Sequence, residues 1–112
     1  MIDYKSAEEK MADNRISDEE IVDIADFFKV FADATRLRIL YLLDQIGESS
    51  VGYIADSLEM SQSAISQQLK ILRASRLVRF RKDGRSIIYR LSDDHIHRIL
   101  ELGFEHYEEL LS

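Results

Sequence analysis

Apolar residues recur at helical spacing along most of the chain. Ser17 precedes three acidic residues and then an apolar series that runs from Ile21 to Ala32, which predicts a capping box followed by an amphipathic helix. The same spacing predicts further helices over residues 34–45, 50–58 and 61–74. Gly47 supplies a stop for the first of these, and Ser61 supplies an N-cap for the last. The pattern therefore predicts a mainly helical protein.

The period of the pattern changes to two after the fourth predicted helix. Val78 and Phe80 alternate with arginines, Asp83-Gly84 is the strongest hairpin signal in the chain, and a second alternating segment follows it. These features predict a hairpin of two strands. Ser92 then offers an N-cap for a last helix over residues 93–111, which has a broad apolar side.

The predicted elements fit a single domain. At 112 residues the chain has room for one hydrophobic core. Residues 17–112 are predicted to form it. Residues 1–16 are polar and weakly periodic, and either a frayed tail or a short accessory helix fits them. Proline is absent and glycine occurs four times, so no linker or low-complexity tract divides the chain.

Composition excludes several classes of protein. Apolar residues make up 46% of the chain and charged residues 32%, which is typical of an ordinary folded domain and not of a disordered one. The longest apolar run, residues 39–43, is far too short to span a bilayer, and no export signal is visible. We therefore expect a cytoplasmic protein without membrane association. Because cysteine is absent, any bound metal must be held by nitrogen and oxygen ligands.

Positive charge is concentrated in one part of the chain. Residues 61–91 carry a net charge of +7, whereas the rest of the chain carries −13. A helix, a short turn, a polar-faced helix and a basic hairpin make a winged helix-turn-helix, in which the second helix enters the major groove and the hairpin reaches the flanking backbone. A charged segment is often only a solvated face, but here it coincides with this motif. We therefore predict binding to double-stranded DNA, in preference to RNA or a protein partner.

The fourth predicted helix has one packing side and one free side. Ile65, Leu69 and Leu72 share the packing side. The side chains predicted to contact DNA are Ser61, Gln62, Ser63, Ser66, Gln67 and Lys70 on this helix and Arg81, Lys82 and Arg85 on the hairpin. Hydroxyl and amide groups exchange hydrogen bonds with base edges and phosphates, and the cationic groups neutralise phosphate charge.

Four stretches of residues 18–111 resemble the ArsR/SmtB family of metal-responsive bacterial repressors. They are FADATRLRIL at 31–40, SQSAISQQLKIL at 61–72, RLV at 76–78 and GRSIIYRL at 84–91. The sequence departs from the family at Ala34, Arg76 and Gln67-Gln68, where proline, glycine and histidine are respectively common. The absence of cysteine from residues 49–54 excludes the branch that binds arsenic, lead or cadmium there. The resemblance implies a homodimer, joined through its N- and C-terminal helices, on a near-palindromic operator.

The last predicted helix carries a set of potential metal ligands that resembles the zinc site of the family's zinc-sensing branch. The set is Asp93, His95, His106 and Glu109. The eleven residues between the histidines place them about 16 Å apart along the axis yet within about 20° of one face, so one helix cannot close the site. Two antiparallel copies about a two-fold axis can close it twice. Asp93 lies beside the N-cap, where the backbone is not yet fully helical, so it can converge with His95.

Two imidazoles and two carboxylates suit tetrahedral Zn(II), and Co(II) would also accept them. Four protein ligands leave no open position for hydrolysis. Each residue also has a plainer explanation, because the helix dipole favours Asp93 at a helix start and His106 with Glu109 is a common surface pairing. It is the joint spacing that favours a site. His97 lies half a turn from the face of that site, and we interpret it as a surface histidine.

These observations predict a homodimeric repressor that leaves its operator when Zn(II) binds. Because ligating imidazoles must be neutral, the zinc response is expected to fade below about pH 6. By resemblance, the second ring nitrogen of His106 links the site to the DNA-binding core near Gln67. One alternative is a winged-helix regulator that is constitutive or responds to a non-metal signal, with the last helix only a dimer interface. Another is a protein-interaction module, and nothing points to an enzyme or a small-molecule substrate.

Overall fold

The computed structural model describes residues 6–112. In chain order its elements are α1 (Ala7–Ala12), α2 (Asp18–Phe31), α3 (Ala34–Ile46), β1 (Glu48–Ser50), α4 (Val51–Leu58), α5 (Gln62–Ala74), β2 (Val78–Asp83), β3 (Ser86–Leu91) and α6 (Asp94–Leu110). The three helices predicted between residues 34 and 74 are present as α3, α4 and α5, and their ends lie within one residue of the prediction.

Local signals in the sequence start and end the helices. Ser17 Oγ accepts a hydrogen bond from the Glu20 N–H, and the Glu20 carboxylate accepts one from the Ser17 N–H, which completes the predicted capping box. Ser61 caps α5 by accepting from the Ala64 N–H. Gly47 ends α3 with a φ of +90°, a conformation that glycine adopts without the clash a Cβ would bring.

Residues 7–12 form a short helix, one of the two possibilities that the sequence leaves for residues 1–16. Residues 1–5 of that segment lie outside the described part of the chain. Lys10 of α1 reaches Glu20 of α2, with its Nζ 2.6 Å from the Glu20 Oε2. The accessory helix is therefore joined to the main domain by an ion pair.

The predicted two-stranded wing belongs to a three-stranded antiparallel sheet with the order β1-β3-β2. β2 and β3 pair from Val78 opposite Leu91 to Asp83 opposite Ser86. The turn residues are Gly84 and Arg85, and Gly84 has a φ of +60°, which glycine adopts without strain. The third strand, β1, is missing from the sequence prediction because its three residues are too few to show an alternating pattern. The sequence predicts two strands, whereas the sheet has three.

The cap of α6 is Asp93 and not Ser92 as predicted. Asp93 has extended backbone, and its Oδ1 accepts a hydrogen bond from the His95 N–H at 2.9 Å. Ser92 instead lies in the segment between β3 and α6, where its N–H donates to the Leu77 carbonyl oxygen at 3.0 Å. The helix therefore begins one residue later than the sequence suggests.

A single core joins α3, α4, α5, the sheet and α6. Its most completely buried side chains are Ile39, Leu40, Leu43, Ile54, Ile65, Leu69, Leu72, Leu77 and Val78. Ile96 and Leu100 of α6 pack against the same cluster. Burial of each such side chain is worth about 1.5–3 kcal/mol. The core therefore fixes α5 and the wing relative to each other.

Helices α2 and α6 each leave a group of four apolar side chains in solvent. The exposed ones are Ile21, Val22, Ile24 and Phe28 on α2 and Leu102, Phe104, Tyr107 and Leu110 on α6. Exposed apolar surface gathered in this way marks an interaction site. Within residues 6–112 no helix combines the length and the hydropathy needed to cross a membrane.

Candidate nucleic-acid interface and metal-ligand residues

Helix α5 presents the predicted DNA-reading side chains to solvent. Its side toward the core is formed by Ile65, Leu69 and Leu72, each 0% exposed. The residues on its free side, all exposed, are Ser61, Gln62, Ser63, Ser66, Gln67 and Lys70. Helix α4, a short turn and α5 form the helix-turn-helix, and the hairpin of β2 and β3 follows as the wing. The six polar side chains therefore stand on one accessible face of a rigidly anchored helix.

A contact that the sequence analysis missed ties α5 to the other helices. Gln68 is half-buried, and its Oε1 accepts a hydrogen bond from the Arg36 Nη1 at 3.3 Å. The Arg36 Nε donates to the carbonyl oxygen of Val30 at 2.8 Å. One arginine at the start of α3 thus connects the last turn of α2 with the middle of α5.

The three predicted DNA contacts on the wing have different surroundings. Lys82 and Arg85 are exposed at the tip, beside the turn. Arg81 is held by Glu48 of β1, with its Nη2 2.8 Å from Oε1 and its Nε 3.4 Å from Oε2. Hydrogen bonding to Arg81, and then its charge, lower the pKa of Glu48, and the same contacts raise the pKa of Arg81. Arg81 is therefore already engaged by a carboxylate, which would compete with a DNA phosphate for its guanidinium.

The two halves of the predicted metal site lie at opposite ends of α6. Asp93 and His95 converge at its start, with the Asp93 Oδ1 3.4 Å from the His95 Nδ1. Both side chains are accessible, 48% and 77% exposed. His106 and Glu109 are exposed near the other end of the helix. In the part of the chain that the structure describes, no group of three or more His, Asp or Glu side chains within one protomer is arranged to hold a metal ion.

His97 is not the plain surface histidine that the sequence suggests. It is half-buried, and its Nδ1 lies 2.7 Å from the Asp44 Oδ1 of α3, while its Nε2 lies 3.4 Å from the Glu101 Oε2. The hydrogen bond to Asp44, followed by the charge of that carboxylate, raises the pKa of His97. Asp44 lies 53 residues away in sequence, which is why no local pattern reveals the pair. His97 thus holds α6 against α3.

An apolar groove of about 390 Å³ runs between α2 and α6. Its lining residues are Phe28, Phe31, Ala32, Leu37, Tyr41, Ile99, Leu100, Gly103, Phe104 and Tyr107. The Tyr41 hydroxyl donates to the Leu100 carbonyl oxygen at 2.9 Å, and its ring packs edge-on against Phe104. Phe28 of α2 and Phe104 and Tyr107 of α6 are exposed and line the groove, so it connects part of the two apolar faces.

Comparison with known proteins identifies the class of this regulator. The family of bacterial regulatory proteins described as the arsR family matches residues 33–79, from the cap of α3 to β2. The cadmium resistance transcriptional regulatory protein CadC homolog of Staphylococcus aureus is 34% identical over 91 residues, which cover 81% of this chain and 75% of that protein. The transcriptional repressor SmtB homolog of Synechocystis sp. is 38% identical over 86 residues, which cover 77% of this chain and 64% of that protein.

A solved structure matches the whole chain. The homodimeric winged helix-turn-helix DNA-binding domain of Mb0332 from Mycobacterium bovis, described as a possible ArsR-family transcriptional regulator, superposes with a TM-score of 0.74 at 28% identity. The match covers 100% of this chain and 94% of that one. The winged helix-turn-helix fold predicted from the sequence is thus confirmed.

The relatives are named as transcriptional regulators, which confirms that this class of protein is not enzymatic. Regulators of the family bind operator DNA and homodimerise. The exposed polar face of α5, the basic wing and the matched sequence all indicate the same family. The chain belongs to the arsR family of bacterial regulatory proteins, the family that its four sequence stretches resemble.

Proposed function

We propose that this chain is a cytoplasmic, homodimeric, zinc-responsive repressor that leaves its operator when Zn(II) binds across the dimer interface. The observation that carries the proposal is the division of one ligand set between the two ends of α6. Asp93 and His95 already converge at one end, and His106 and Glu109 are accessible at the other. Each half offers one imidazole and one carboxylate, so two halves make a complete tetrahedral set for zinc.

A second copy of the chain is the partner that completes the set. If two α6 helices lie antiparallel about a two-fold axis, Asp93 and His95 of one protomer meet the other protomer's second ligand pair, and symmetry makes two sites. The groove between α2 and α6 supports this arrangement, because burying its exposed apolar side chains against a second copy stabilises a dimer. The dimer therefore forms through the N- and C-terminal helices of the main domain, with or without zinc.

The chemistry of the ligand set favours zinc, with cobalt as the other ion it would accept. Nitrogen and oxygen donors in a four-coordinate arrangement suit Zn(II) and Co(II), whereas a soft ion such as cadmium favours thiolates. The similarity to a regulator named for cadmium resistance does not bring a thiolate site with it, because this chain contains no cysteine.

The metal-free dimer binds DNA through its two reading helices. Each α5 enters a major groove, the two half-sites lie about one helical turn apart, and Lys82 and Arg85 of each wing reach the flanking backbone. Zinc joins the two α6 helices and stabilises a form of the dimer whose α5 helices no longer match adjacent grooves. In this scheme the second ring nitrogen of His106 contacts the DNA-binding core near Gln67. Zinc and DNA then weaken each other's binding equally, typically by about 5–150-fold.

The test is a fluorescence anisotropy titration of a duplex that the protein selects from a random library, with and without zinc. His106→Asn is expected to keep the DNA affinity of the metal-free protein and to lose the zinc effect. Glu109→Gln should weaken that effect. Its matched control is Glu108→Gln, which removes the same charge from the neighbouring exposed position and should respond to zinc as the wild type does.

Two results would contradict the proposal. Equal zinc responses in all of these variants would show that α6 does not hold the metal. A protein that binds DNA but takes up no stoichiometric zinc would be the constitutive or differently triggered regulator of the alternative interpretation. His97→Asn is not a suitable control, because it breaks the contact with Asp44. The wild-type response should also fade below about pH 6, where protons compete for the imidazoles.

A further inference from the structure

The base of the wing holds a cavity whose arginines the proposed function does not use. Its volume is about 470 Å³, within the range of sites that bind small molecules. It lies where the last turn of α5, the following turn and β2 meet the start of α6. The lining residues are Arg73, Arg76, Val78, Arg79, Phe80, Ser92 and Asp93.

Three of the lining residues are arginines. Arg73 lies on α5, Arg76 in the turn that follows it and Arg79 on β2. The guanidinium of Arg73 lies over the ring of Phe80, 4.0 Å from its centroid, which fixes its position. Neither Arg73, Arg76 nor Arg79 has a carboxylate within 4.0 Å among residues 6–112, whereas Arg81 and Arg98 are ion-paired. The positive charge of the cavity is thus left without a protein counter-charge at contact distance.

The backbone at Arg76 is unfavourable for any residue with a side chain. Its φ is +61°, in the left-handed region where a Cβ is crowded and glycine is preferred. The turn itself is closed by backbone hydrogen bonds, from the Arg76 N–H to the Arg73 carbonyl and from the Leu77 N–H to the Leu72 carbonyl. None of these bonds requires an arginine side chain. The same conformation ends α4 at Glu59, so it marks the end of a helix, and what distinguishes Arg76 is that its side chain lines the cavity.

Two further groups on the wall favour an anion. The Ser92 Oγ is buried and has no hydrogen-bond partner, which is uncommon for a native hydroxyl group. Asp93 is the acid at the rim, and its Oδ1 is already engaged as the cap of α6. Three arginines against one engaged carboxylate leave the cavity positive. Guanidinium groups pair with phosphate oxygens in a bidentate way, with both charge and geometry matched.

We propose that the cavity lined by Arg73, Arg76 and Arg79 is a binding site for a phosphate group. The phosphate comes either from a small molecule in solution or from the DNA backbone beside the operator half-site. The chemistry of recognition is the same for both sources. The site shares Asp93 with the proposed zinc set, but its three arginines belong neither to that set nor to the side chains assigned to DNA contact.

The first arm of the test titrates the metal-free protein with inorganic phosphate by isothermal calorimetry. Saturable binding is expected in the wild type if the ligand is a free phosphate. Arg76→Gly removes the side chain and relieves the backbone strain, and it should weaken binding at least tenfold, as should Arg79→Gln. The matched control is Arg38→Gln, which removes the same charge from an exposed position of α3.

The second arm measures DNA affinity against salt concentration. If the ligand is a backbone phosphate, Arg76→Gly and Arg79→Gln should each lower the slope of log affinity against log salt by about 0.9, and Arg38→Gln should not. A melting temperature of Arg76→Gly no lower than that of the wild type shows that the variant folds. The proposal is overturned if phosphate does not bind and the slopes are unchanged, or if phosphate binds equally to wild type and both variants.

Discussion

Helix α5 separates the residues that pack it against the core from the residues predicted to contact DNA, and two adjacent positions test this separation. Leu69 is 0% exposed and lies in the middle of the packing side of α5, whereas Lys70 is exposed on the free side. Leu69→Ala leaves a cavity and should lower the free energy of unfolding by about 2–5 kcal/mol. Lys70→Gln removes no packing and should leave that free energy within about 0.5 kcal/mol of the wild type.

The size of the thermal shift follows from chain length. An unfolding entropy of about 2.1 cal/mol/K per residue gives about 0.24 kcal/mol/K for 112 residues. Leu69→Ala should therefore melt about 8–20 °C below the wild type. The melts are followed by circular dichroism at one fixed protein concentration, because dimerisation makes the melting temperature depend on concentration.

The two variants should differ in DNA affinity in the reverse order to their difference in stability. At 10 °C, where Leu69→Ala is still folded, its affinity should stay close to that of the wild type, because the leucine faces the core. Lys70→Gln should bind DNA more weakly, and its salt slope should fall by about 0.9 if the ammonium neutralises one phosphate. The reasoning is refuted if Leu69→Ala melts with the wild type, or if Lys70→Gln leaves both the affinity and the slope unchanged.

Two more predictions concern the contacts of α3 with α6. Asp44 raises the pKa of His97, so the pair stabilises the fold below the ordinary histidine pKa of about 6.5 and loses that contribution as pH rises through the raised value. The melting temperatures of His97→Asn and wild type should therefore differ more at pH 6 than at pH 9. An equal difference at the two pH values would contradict this. Tyr41→Phe removes the hydrogen bond to Leu100 and should lower the free energy of unfolding, measured by chemical denaturation, by about 0.5–1.5 kcal/mol. The control, Tyr53→Phe, changes an exposed ring and should leave that free energy unchanged.

Features with short-range causes were predictable from the sequence. The capping box at Ser17, the helix stop at Gly47 and the Asp83-Gly84 hairpin each depend on residues within three or four positions of one another. The buried side of α5 follows from the helical period alone. The basic segment and the helix-turn-helix with its wing were predictable for the same reason, because charge and periodicity depend only on residues close together in the sequence.

The sequence could not show which of two adjacent residues, both favoured at an N-cap, begins α6. Ser92 and Asp93 are both good N-cap residues. The hydrogen bond from the Ser92 N–H to the Leu77 carbonyl oxygen ties Ser92 to the residue before β2, and the cap falls to Asp93. The result matters for the candidate metal site, because capping directs the Asp93 carboxylate toward His95.

The sequence by itself determined the helices, the wing, the accessible face of α5 and the position of the candidate ligand residues along α6. Only the tertiary structure decided that Arg81 is paired with Glu48, that His97 is paired with Asp44, and that a third strand joins the wing. The physical reason is range. Helix period, caps and turns are set by neighbours along the chain, whereas these ion pairs and the added strand depend on segments that only folding brings together.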